Sequence, residues 1–587
     1  MKSLVIGPFP NLWPTVGTAV LIDDYCLSDD ESVSARNVTF EVATNCFKNQ
    51  KHNDDLYKTI TELSDVFLKE LTVQLNTYHE KKYPNKYWSL IVSHWLMKCI
   101  EDLVKTYTEV NQAINEHNVS WVNVSSARSN DFTPNNSYDY AYLRLKEEYI
   151  VMLRSEVIRH VNSQFTNLKI AETEIKCNAP QRFISKASKR AQVLTEINLL
   201  ISNLFRKVTR RAQIFVTTSY LPIWSEVFIK LSLGQSPTMR IISEIKPSST
   251  RSEFRNHIFD NVKTNHPLGD FLSSQIKWLI PRTYLEDYKA LENLINSSNW
   301  PEKPRVIFTA NSFDTDDEFK IWSAQKMLGG SVYVVMQHGN NFGTYRYPIH
   351  PEIQLADYFL TWGWSNHPKE IPLFCQTIKQ RKRVGSKNNH SLLILRRQVP
   401  LRENITDHPN RLRESLLEEN KILTTLNKEI RMVTKFKDHP ASKHKTDIFD
   451  PGENTVGAEK KFLKHTKVAK QIYSTNKLVF FECYSTGVLE CLSLNIPVIF
   501  YWPEGLDSIR DESVEDFREL ENSQILFFSG VKAAAHVNTI WSDLDVWWES
   551  PQVQEARKNF VDKYARSTDC PIRQLRKTLK EIERERW

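Results

Sequence analysis

The sequence predicts a mixed α/β protein of two domains, each with a parallel sheet, and three observations lead to this fold class. The chain has 587 residues, whereas a single hydrophobic core usually stops growing at about 250–300 residues. Short β-branched apolar runs alternate with longer amphipathic stretches, the order expected of parallel crossover units. A polar, basic segment at residues 375–390 separates two regions in which this alternation starts afresh. We therefore predict domains at residues 1–380 and 381–587.

The elements of the first region follow from its apolar patterns. A buried-strand pattern begins at Leu4, and helical spacing of apolar residues follows at 56–77 and 87–110. The stretch 123–136 is rich in Ser, Asn and Asp and predicts a loop. Charged and apolar residues then alternate at helical spacing, which predicts a helical insertion near residues 138–207. Later apolar runs predict strands at 214–218, 305–310, 331–336 and 358–363.

The second region repeats the rhythm of strands and helices. Apolar runs predict strands at 391–395, 478–481 and 497–501, and amphipathic spacing predicts helices at 411–433, 487–493 and 552–587. Open α/β sheets bind ligands beyond the carboxyl ends of their strands. Two such domains are expected to face a cleft, and the motifs described below lie at these strand ends.

Composition narrows the function classes and the compartment. The 77 basic and 70 acidic residues give a net charge of +7, which suits phosphorylated ligands or peripheral contact with an anionic membrane. No zinc-finger spacing, RNP-like motif or long Lys/Arg tract is present, so we expect no nucleic-acid partner. The eight cysteines are dispersed, which favours reduced thiols in the cytoplasm. With no signal-peptide pattern and no long apolar stretch, we predict a cytoplasmic protein with peripheral contact at the inner membrane.

The most informative motif follows the strand at 478–481. Ser485 or Thr486 can cap the next helix, whose free N–H groups and dipole favour a phosphate. Gly487 permits close approach of a ligand, and Glu490 is placed to accept hydrogen bonds from a ribose. Glu482 supplies a carboxylate at the same strand end. The alternative interpretation is an ordinary capped helix with surface carboxylates.

A second motif follows the strand at 331–336. It is formed by Gln337, His338, Gly339 and Asn340. His338 can donate to a phosphate or act as an acid or base near neutral pH, and Gly339 leaves room for a ligand. The alternative is a histidine whose hydrogen bonds are satisfied within a turn.

Two further groups are weaker signals. His439 and Pro440 lie between the first helix of the second domain and the strand at 478–481; a His-Pro pair can also be a plain turn. The acids Asp316, Asp317 and Glu318 follow the strand at 305–310 and could provide a base for an acceptor hydroxyl. Acids at a helix N-terminus are equally well explained by the helix dipole. They lack the spacing of a metal loop, so no metal site is predicted.

These motifs resemble those of known transferases. The pattern Glu-x-x-Ser-Thr-Gly-x-x-Glu from Glu482 to Glu490 resembles the donor-nucleotide motif of GT-B glycosyltransferases. It is also similar to the Asp-x-Ser-Ser-x-x-x-Glu pattern of capsule, Kdo and teichoic-acid transferases, although the Asp position falls on Cys483. Gln-His-Gly resembles the loop of capsule-type Kdo transferases, and His439-Pro440 resembles a motif of bacterial sialyltransferases. Together the segments resemble a bacterial family of O-antigen and capsule surface-carbohydrate transferases.

The resemblance implies a fold, a reaction and residue roles. The fold is GT-B, with two Rossmann-like domains facing a cleft. The reaction is transfer of a nonulosonic acid such as pseudaminic acid from a CMP-sugar to an oligosaccharide or lipid-linked glycan, with retention of configuration and without a cofactor. Ser485, Thr486 and His439 would hold the phosphate and Glu490 the ribose. The acceptor would enter near His338 and the acids at 314–318.

Three alternatives remain open. A polyol-phosphate transferase of the teichoic-acid type would share the His and Ser/Thr features but move a phosphorylated alcohol. A catalytically silent GT-B scaffold would bind glycan or recruit partners, and would tolerate substitution of both His338 and His439. A nucleotide-sugar epimerase would alter the donor without an acceptor.

Overall fold

The computed structural model confirms a mixed α/β fold built on parallel sheets. It describes residues 2–27, 31–34, 36–162, 168–175, 189–240, 247–248, 251–260, 262–347, 350–378, 390–397, 412–438, 461–462 and 472–587. The chain forms two compact units. Unit 1 contains Met1–Met336, Ile349–Phe359 and Leu575–Trp587, and unit 2 contains Gln337–Pro348 and Leu360–Gln574.

Unit 1 begins with a five-stranded parallel sheet. Its strands are β1 (Lys2–Val5), β2 (Val16–Leu21), β3 (Asn37–Val42), β4 (Trp121–Ser125) and β5 (Lys169–Thr173). Their order is β3-β2-β1-β4-β5, and every described pairing is parallel. The helices of this region are α1 (Glu31–Ser34), α2 (Gln50–Tyr78), α3 (Asn85–His117), α4 (Ser137–Leu143) and α5 (Glu147–Val161).

Two parts of this region differ from the sequence expectation. The loop predicted from residue 123 starts inside β4, whose Val122 and Val124 are fully buried. The predicted helical insertion near 138–207 contains α4 and α5, but β5 follows them and pairs with β4. β5 is a polar edge strand with no fully buried residue, so its sequence lacks the apolar run that marks a strand.

The two long helices α2 and α3 confirm the predicted helices at 56–77 and 87–110 and extend them. The side chain of Asn49 accepts from the backbone N–H of His52 at 3.1 Å, which caps the start of α2. Asn118 ends α3 in the left-handed conformation, with a φ of 50°; asparagine adopts this conformation more readily than most residues. The helices pack against each other and bury Phe67, Leu71 and Trp95.

A second parallel sheet lies in the later part of unit 1. It includes β6 (Ile214–Thr217), β7 (Val306–Thr309) and β8 (Val332–Met336), in the order β8-β7-β6. All three strands are buried along their whole length, as the apolar runs predicted. The helices here are α6 (Lys189–Leu204), α7 (Arg206–Thr209), α8 (Ile223–Ser232), α9 (Gly269–Leu279), α10 (Tyr288–Asn296), α11 (Ser312–Thr315), α12 (Asp317–Leu328) and α13 (Pro351–Leu355).

Unit 2 is built on a six-stranded parallel sheet. The chain first forms β9 (Tyr358–Thr361) and β10 (Glu370–Pro372), then the sheet strands β11 (Leu392–Leu395), β12 (Thr434–Lys437), β13 (Lys461–Phe462), β14 (Leu478–Phe481), β15 (Val498–Tyr501) and β16 (Leu526–Phe527). Their order is β13-β12-β11-β14-β15-β16. The order reverses between β11 and β14, and this switch point is where open α/β sheets bind their ligands.

Helices cover this sheet. They are α14 (Leu412–Thr425), α15 (Lys428–Met432), α16 (Thr486–Ser493), α17 (Val514–Asn522), α18 (Gly530–Ile540), α19 (Leu544–Trp548) and α20 (Pro551–Tyr564); α21 (Pro571–Arg586) ends the chain. Ile394 and Phe480 of the central strands share one core with Ile422 of α14 and Val537 of α18. Among the described residues, no helix is long and apolar enough to cross a membrane.

The division into units differs from the predicted boundary at residue 380. Segments 337–348 and 360–378 belong to unit 2 because their hydrogen bonds lie there; for example, the N–H of Cys375 donates to the carbonyl of Arg566 at 2.8 Å. Of the predicted linker at 375–390, residues 379–389 lie outside the described residues.

Candidate functional site

The switch point of the unit 2 sheet collects charged side chains at two adjacent strand ends. Arg396 and Arg397 follow β11, and Glu482 follows β14, which pairs with β11 in parallel. All three are at least nine-tenths buried. Burying charged groups is unfavourable unless they are paired or neutralised, so this cluster is a specific arrangement rather than a solvated surface.

Glu482 is held at the centre of the cluster. The backbone N–H of Arg397 donates to its Oε2 at 3.2 Å, and its Oε1 has no hydrogen-bond partner among the described residues. Burial and the nearby carboxylate of Glu419 raise the pKa of Glu482 to about 8, while Arg396 opposes the rise. Glu482 is therefore largely protonated at neutral pH, which makes it a hydrogen-bond donor there rather than a base.

The two arginines have carboxylate partners of their own. Arg396 donates to both carboxylate oxygens of Glu419, at 2.5 and 3.2 Å, and Arg397 donates to Glu504 at 2.7 Å. Neither arginine was predicted from the sequence. The signal was available, because two consecutive arginines directly follow the buried run Leu392–Leu395 and must lie at the ligand edge of a parallel sheet.

The N-terminus of α16 lies at the same strand end. Ser485 is its N-cap residue, and the carbonyl of Ser485 accepts from the N–H of Val488 at 3.0 Å. The expected side-chain cap is wrong: the Ser485 hydroxyl makes no capping hydrogen bond, and the Thr486 hydroxyl donates instead to Asn340 Oδ1 at 3.2 Å. The first N–H groups of α16 therefore have no side-chain cap, and a helix N-terminus of this kind favours an anion.

Gly487 is required by packing on the opposite side. A Cβ at this position would lie 2.6 Å from the ring of Phe481 and 2.8 Å from the hydroxyl of Tyr473. Contacts this short cannot be accommodated without movement of the buried ring. The glycine thus lets α16 approach β14 closely, which is a different reason from the ligand approach that the motif predicted.

The loop after β8 packs against the strand end of β14. Asn340 Nδ2 donates to the carbonyl of Tyr484 at 3.4 Å, and the Tyr345 hydroxyl donates to the same carbonyl at 3.4 Å. With the bond from Thr486 to Asn340, the structure brings together two motifs that are about 145 residues apart in the sequence. Gly339 stands beside Asn340 in this loop, and a Cβ there would lie 3.2 Å from Asn341 Oδ1.

Gln337 braces the start of this loop. Its Oε1 accepts from the backbone N–H of Trp362 at 3.0 Å and from Nε1 of Trp364 at 2.8 Å, and its Nε2 donates to the carbonyl of Gly339 at 2.8 Å. Its backbone carbonyl accepts from Gln376 Nε2 at 2.7 Å. Gln337 is 1% exposed. Its contacts orient the loop rather than face a ligand.

Two further predicted residues of unit 2, His338 and Glu490, are partly accessible. His338 is half-buried, and its ring meets that of Phe342 with centroids 5.3 Å apart. Glu490 is half-buried on α16 and accepts from the Thr377 hydroxyl at 3.4 Å. His439 and Pro440 lie outside the described residues.

The acids predicted to serve the acceptor lie in unit 1 and have basic partners. Arg240 donates to Asp316 at 2.7 and 2.8 Å and to Glu318 at 2.7 Å. Asp317 pairs with Lys320 at 2.8 Å; burial opposes ionisation of Asp317, yet Lys320 holds its pKa below the usual range. All three acids are buried. These contacts fit the structural interpretation, in which the acids anchor the start of α12.

Asp316 has a second structural contact. Its Oδ1 accepts from the backbone N–H of Phe319 at 3.0 Å and so caps α12. The described residues contain no group of three or more side chains spaced to hold a metal ion. The seven described cysteines are free thiols, and five of them are buried.

Several solved structures resemble parts of this chain. No curated protein matches the chain. Among solved structures, the chain is similar to the pneumococcal O-GlcNAc transferase GtfA in complex with UDP and GlcNAc, with a TM-score of 0.32, 12% identity and coverage of 50% of this chain and 59% of GtfA. This chain thus spans about three fifths of GtfA.

Two further structures show similar scores. The wall teichoic acid polymerase TagF has a TM-score of 0.32 and 10% identity, with 69% of this chain and 99% of that chain covered. WaaG, a glycosyltransferase involved in lipopolysaccharide biosynthesis, has a TM-score of 0.26 and 13% identity, with 55% and 84% covered.

The family model decides the assignment. The model of the LIC12162 family of transferases matches residues 2–579, which is nearly the whole chain and includes the switch-point cluster, the loop after β8 and the N-terminus of α16. The protein is therefore a transferase that belongs to the LIC12162 family.

Proposed function

We propose that this transferase is a GT-B glycosyltransferase of bacterial surface polysaccharide biosynthesis that uses a nucleotide-activated sugar. The donor we favour is a CMP-linked nonulosonic acid such as pseudaminic acid, and the acceptor is an oligosaccharide or lipid-linked glycan. Transfer would retain the anomeric configuration. No cofactor or metal is invoked.

One observation carries this proposal. The N-terminus of α16 lies at the switch point of the unit 2 sheet, and neither the Ser485 nor the Thr486 hydroxyl caps it. A phosphate there would meet backbone N–H groups, the positive end of the helix dipole and the Ser485 hydroxyl. The leaving phosphate would be stabilised by these groups as negative charge develops, which is usually a large part of the catalytic effect.

The surrounding residues support the same ligand. Asn340 fixes the Thr486 side chain, so the first turn of α16 is held before a donor arrives. Arg396 and Arg397 add positive charge at the neighbouring strand end, although each is already paired with a carboxylate. Glu490 lies one turn into α16, where we propose that it contacts the ribose, and His439 would assist at the phosphate.

Acid–base chemistry is assigned in part. Protonated Glu482 suits hydrogen-bond donation to a donor oxygen, because its pKa lies near 8. His338 remains our proposed acid or base, because histidine commonly serves in this role and the ring is half-buried at the strand end. The acids at 316–318 are the weaker proposal for a base, given their ion pairs with Arg240 and Lys320.

The test is nucleotide binding measured by thermal shift. CMP, CDP, UDP and GDP are added to the full chain, to Ser485→Ala and His439→Ala, and to a matched control, Ser550→Ala. Ser550 is the N-cap residue of α20, and like Ser485 it makes no side-chain capping bond, but α20 follows another helix, α19, and not a strand of the sheet. We expect CMP to raise the Tm of the wild type and the control, and to leave Ser485→Ala and His439→Ala unchanged.

Other results would change the assignment. Stabilisation by CDP alone, with turnover of a CDP-polyol, would favour a polyol-phosphate transferase. Conversion of a nucleotide-sugar without an acceptor would favour an epimerase. If no nucleotide raised the Tm, the site would not be a donor site, and a silent scaffold would be the better interpretation.

A further inference from the structure

Helix α6 in unit 1 exposes a stripe of large apolar side chains. Val193, Ile197, Leu200 and Leu204 recur at spacings of four, three and four residues and so form one stripe. This stripe faces solvent, and Leu200 and Leu204 are 69% and 81% exposed. A polar contact joins α6 to a later part of the chain, where Asn198 Nδ2 donates to the carbonyl of Met239 at 3.0 Å.

Helix α8 also exposes large apolar side chains, while it buries a charged pair. Ile223, Trp224 and Phe228 are exposed, Trp224 by 73%. The charged residues of this helix, Glu226 and Lys230, are buried and pair with each other at 2.7 Å. A helix that turns its ion pair inward and a tryptophan outward is not arranged for water on that side.

The two helices belong to one region of the surface. A cavity of about 320 Å³ is lined by residues of α6, such as Asn198 and Ser202, and by Lys230 of α8. The two helices therefore border the same cavity, and together they expose more large apolar side chains than the scattered single hydrophobic residues that are normal on a monomer surface. We call this surface, formed by the outer faces of α6 and α8, the apolar face.

Basic residues border the apolar face. Arg206, Lys207 and Arg211 follow α6 directly and are exposed. Between residues 193 and 213 the chain has four basic residues and one acidic residue, Glu196. Exposed apolar and aromatic side chains beside a basic tract are complementary to a bilayer with anionic headgroups, since the apolar part enters the interface and the cations meet the phosphates.

From these observations we propose that the apolar face docks unit 1 onto the surface of an anionic phospholipid bilayer. Trp224 and Phe228 would insert at the level of the headgroups, because aromatic side chains favour the membrane interface. Arg206, Lys207 and Arg211 would bind lipid phosphates. The proposal rests on the exposed side chains of α6 and α8, and it holds whether or not the donor assignment above is correct.

The experiment is co-sedimentation of the full chain with vesicles. One set contains phosphatidylcholine with phosphatidylglycerol at about three to one, and the other contains phosphatidylcholine alone. We expect binding to the anionic vesicles that is at least tenfold stronger than to the neutral ones and that weakens in about 0.5 M salt, where screening is strong. Trp224→Ser with Phe228→Ser should lower binding at least tenfold, and Arg206→Glu with Lys207→Glu should act similarly.

A matched control tests whether any exposed apolar residue contributes to vesicle binding. Val546→Ser removes a valine that is 75% exposed in unit 2, and it should leave vesicle binding unchanged. All substituted side chains are exposed, so far-ultraviolet circular dichroism and Tm should match the wild type. The proposal is overturned if the wild type binds neither vesicle type. It is also overturned if the double serine variant converts a wild-type dimer to a monomer without changing vesicle binding, because a second copy would then cover the apolar face.

Discussion

Replacing Gln337 with methionine should destabilise unit 2 strongly, although the two side chains have similar length. The amide of Gln337 is 1% exposed and makes three hydrogen bonds. Methionine would leave two buried donors without a partner, the N–H of Trp362 and Nε1 of Trp364. Each buried donor left unsatisfied costs about 1–3 kcal/mol, so we expect the free energy of unfolding to fall by roughly 2–6 kcal/mol. The carbonyl of Gly339 is half-buried and can bind water instead.

The assay is urea unfolding followed by tryptophan fluorescence, because Trp362 and Trp364 lie beside the substituted side chain. Hydrogen exchange of peptides from 360–376 assigns the change to unit 2, since the two units can unfold separately. The matched control is Gln552→Met. Gln552 is exposed and makes one hydrogen bond, to the carbonyl of Asn522, so its loss should cost less than about 0.5 kcal/mol. A loss below about 0.5 kcal/mol for Gln337→Met as well would refute the bracing role.

Three further predictions concern residues that the sequence motifs singled out. The pKa of Glu482 is about 8 in the folded protein, so the unfolded chain loses this proton at lower pH and wild-type stability declines between about pH 5 and pH 8. Glu482→Gln should flatten this decline in the free energy of unfolding, measured by chemical denaturation across the same pH range. An unchanged pH profile would contradict the prediction. Gly487→Ala should lower stability by about 1–3 kcal/mol through overlap with a buried ring 2.6 Å away, whereas Gly339→Ala meets only a flexible side chain and should be mild. Asp316→Asn should cost about 3 kcal/mol by leaving Arg240 poorly paired, while nucleotide binding stays intact; lost turnover at normal stability would instead indicate a base.

The sequence correctly predicted the strands that are buried on both faces. The strands β7, β8, β14 and β15 are continuous apolar runs because helices cover both sides of a parallel sheet. The pattern failed for β3 and β5, which lie at the edges of their sheet and carry polar, partly exposed residues. An edge strand is defined by its pairing with a neighbour, and that pairing leaves little trace in local composition.

Prediction of the candidate site from the sequence has a similar limit. The loop at Gln337 and the helix start at Ser485 were predictable, since each directly follows a buried strand. Their connection through Asn340 and Thr486 was not, because a hydrogen bond between residues 146 positions apart has no local signature. The packing of Gly487 against the ring of Phe481 was not predicted, and the close ligand approach expected at this glycine stays a prediction.

The path of the chain between the units has a practical consequence for dissecting the protein. The backbone passes from one unit to the other after Met336, again between 348 and 349, after Phe359, and after Gln574. A fragment beginning at residue 381 would omit Gln337, Asn340 and the segment 360–376 that unit 2 uses internally. Recombinant dissection should therefore start at residue 337 or earlier. A fragment that starts in the polar stretch near 380 is expected to be insoluble or protease-sensitive, even though the composition of that stretch is typical of a linker.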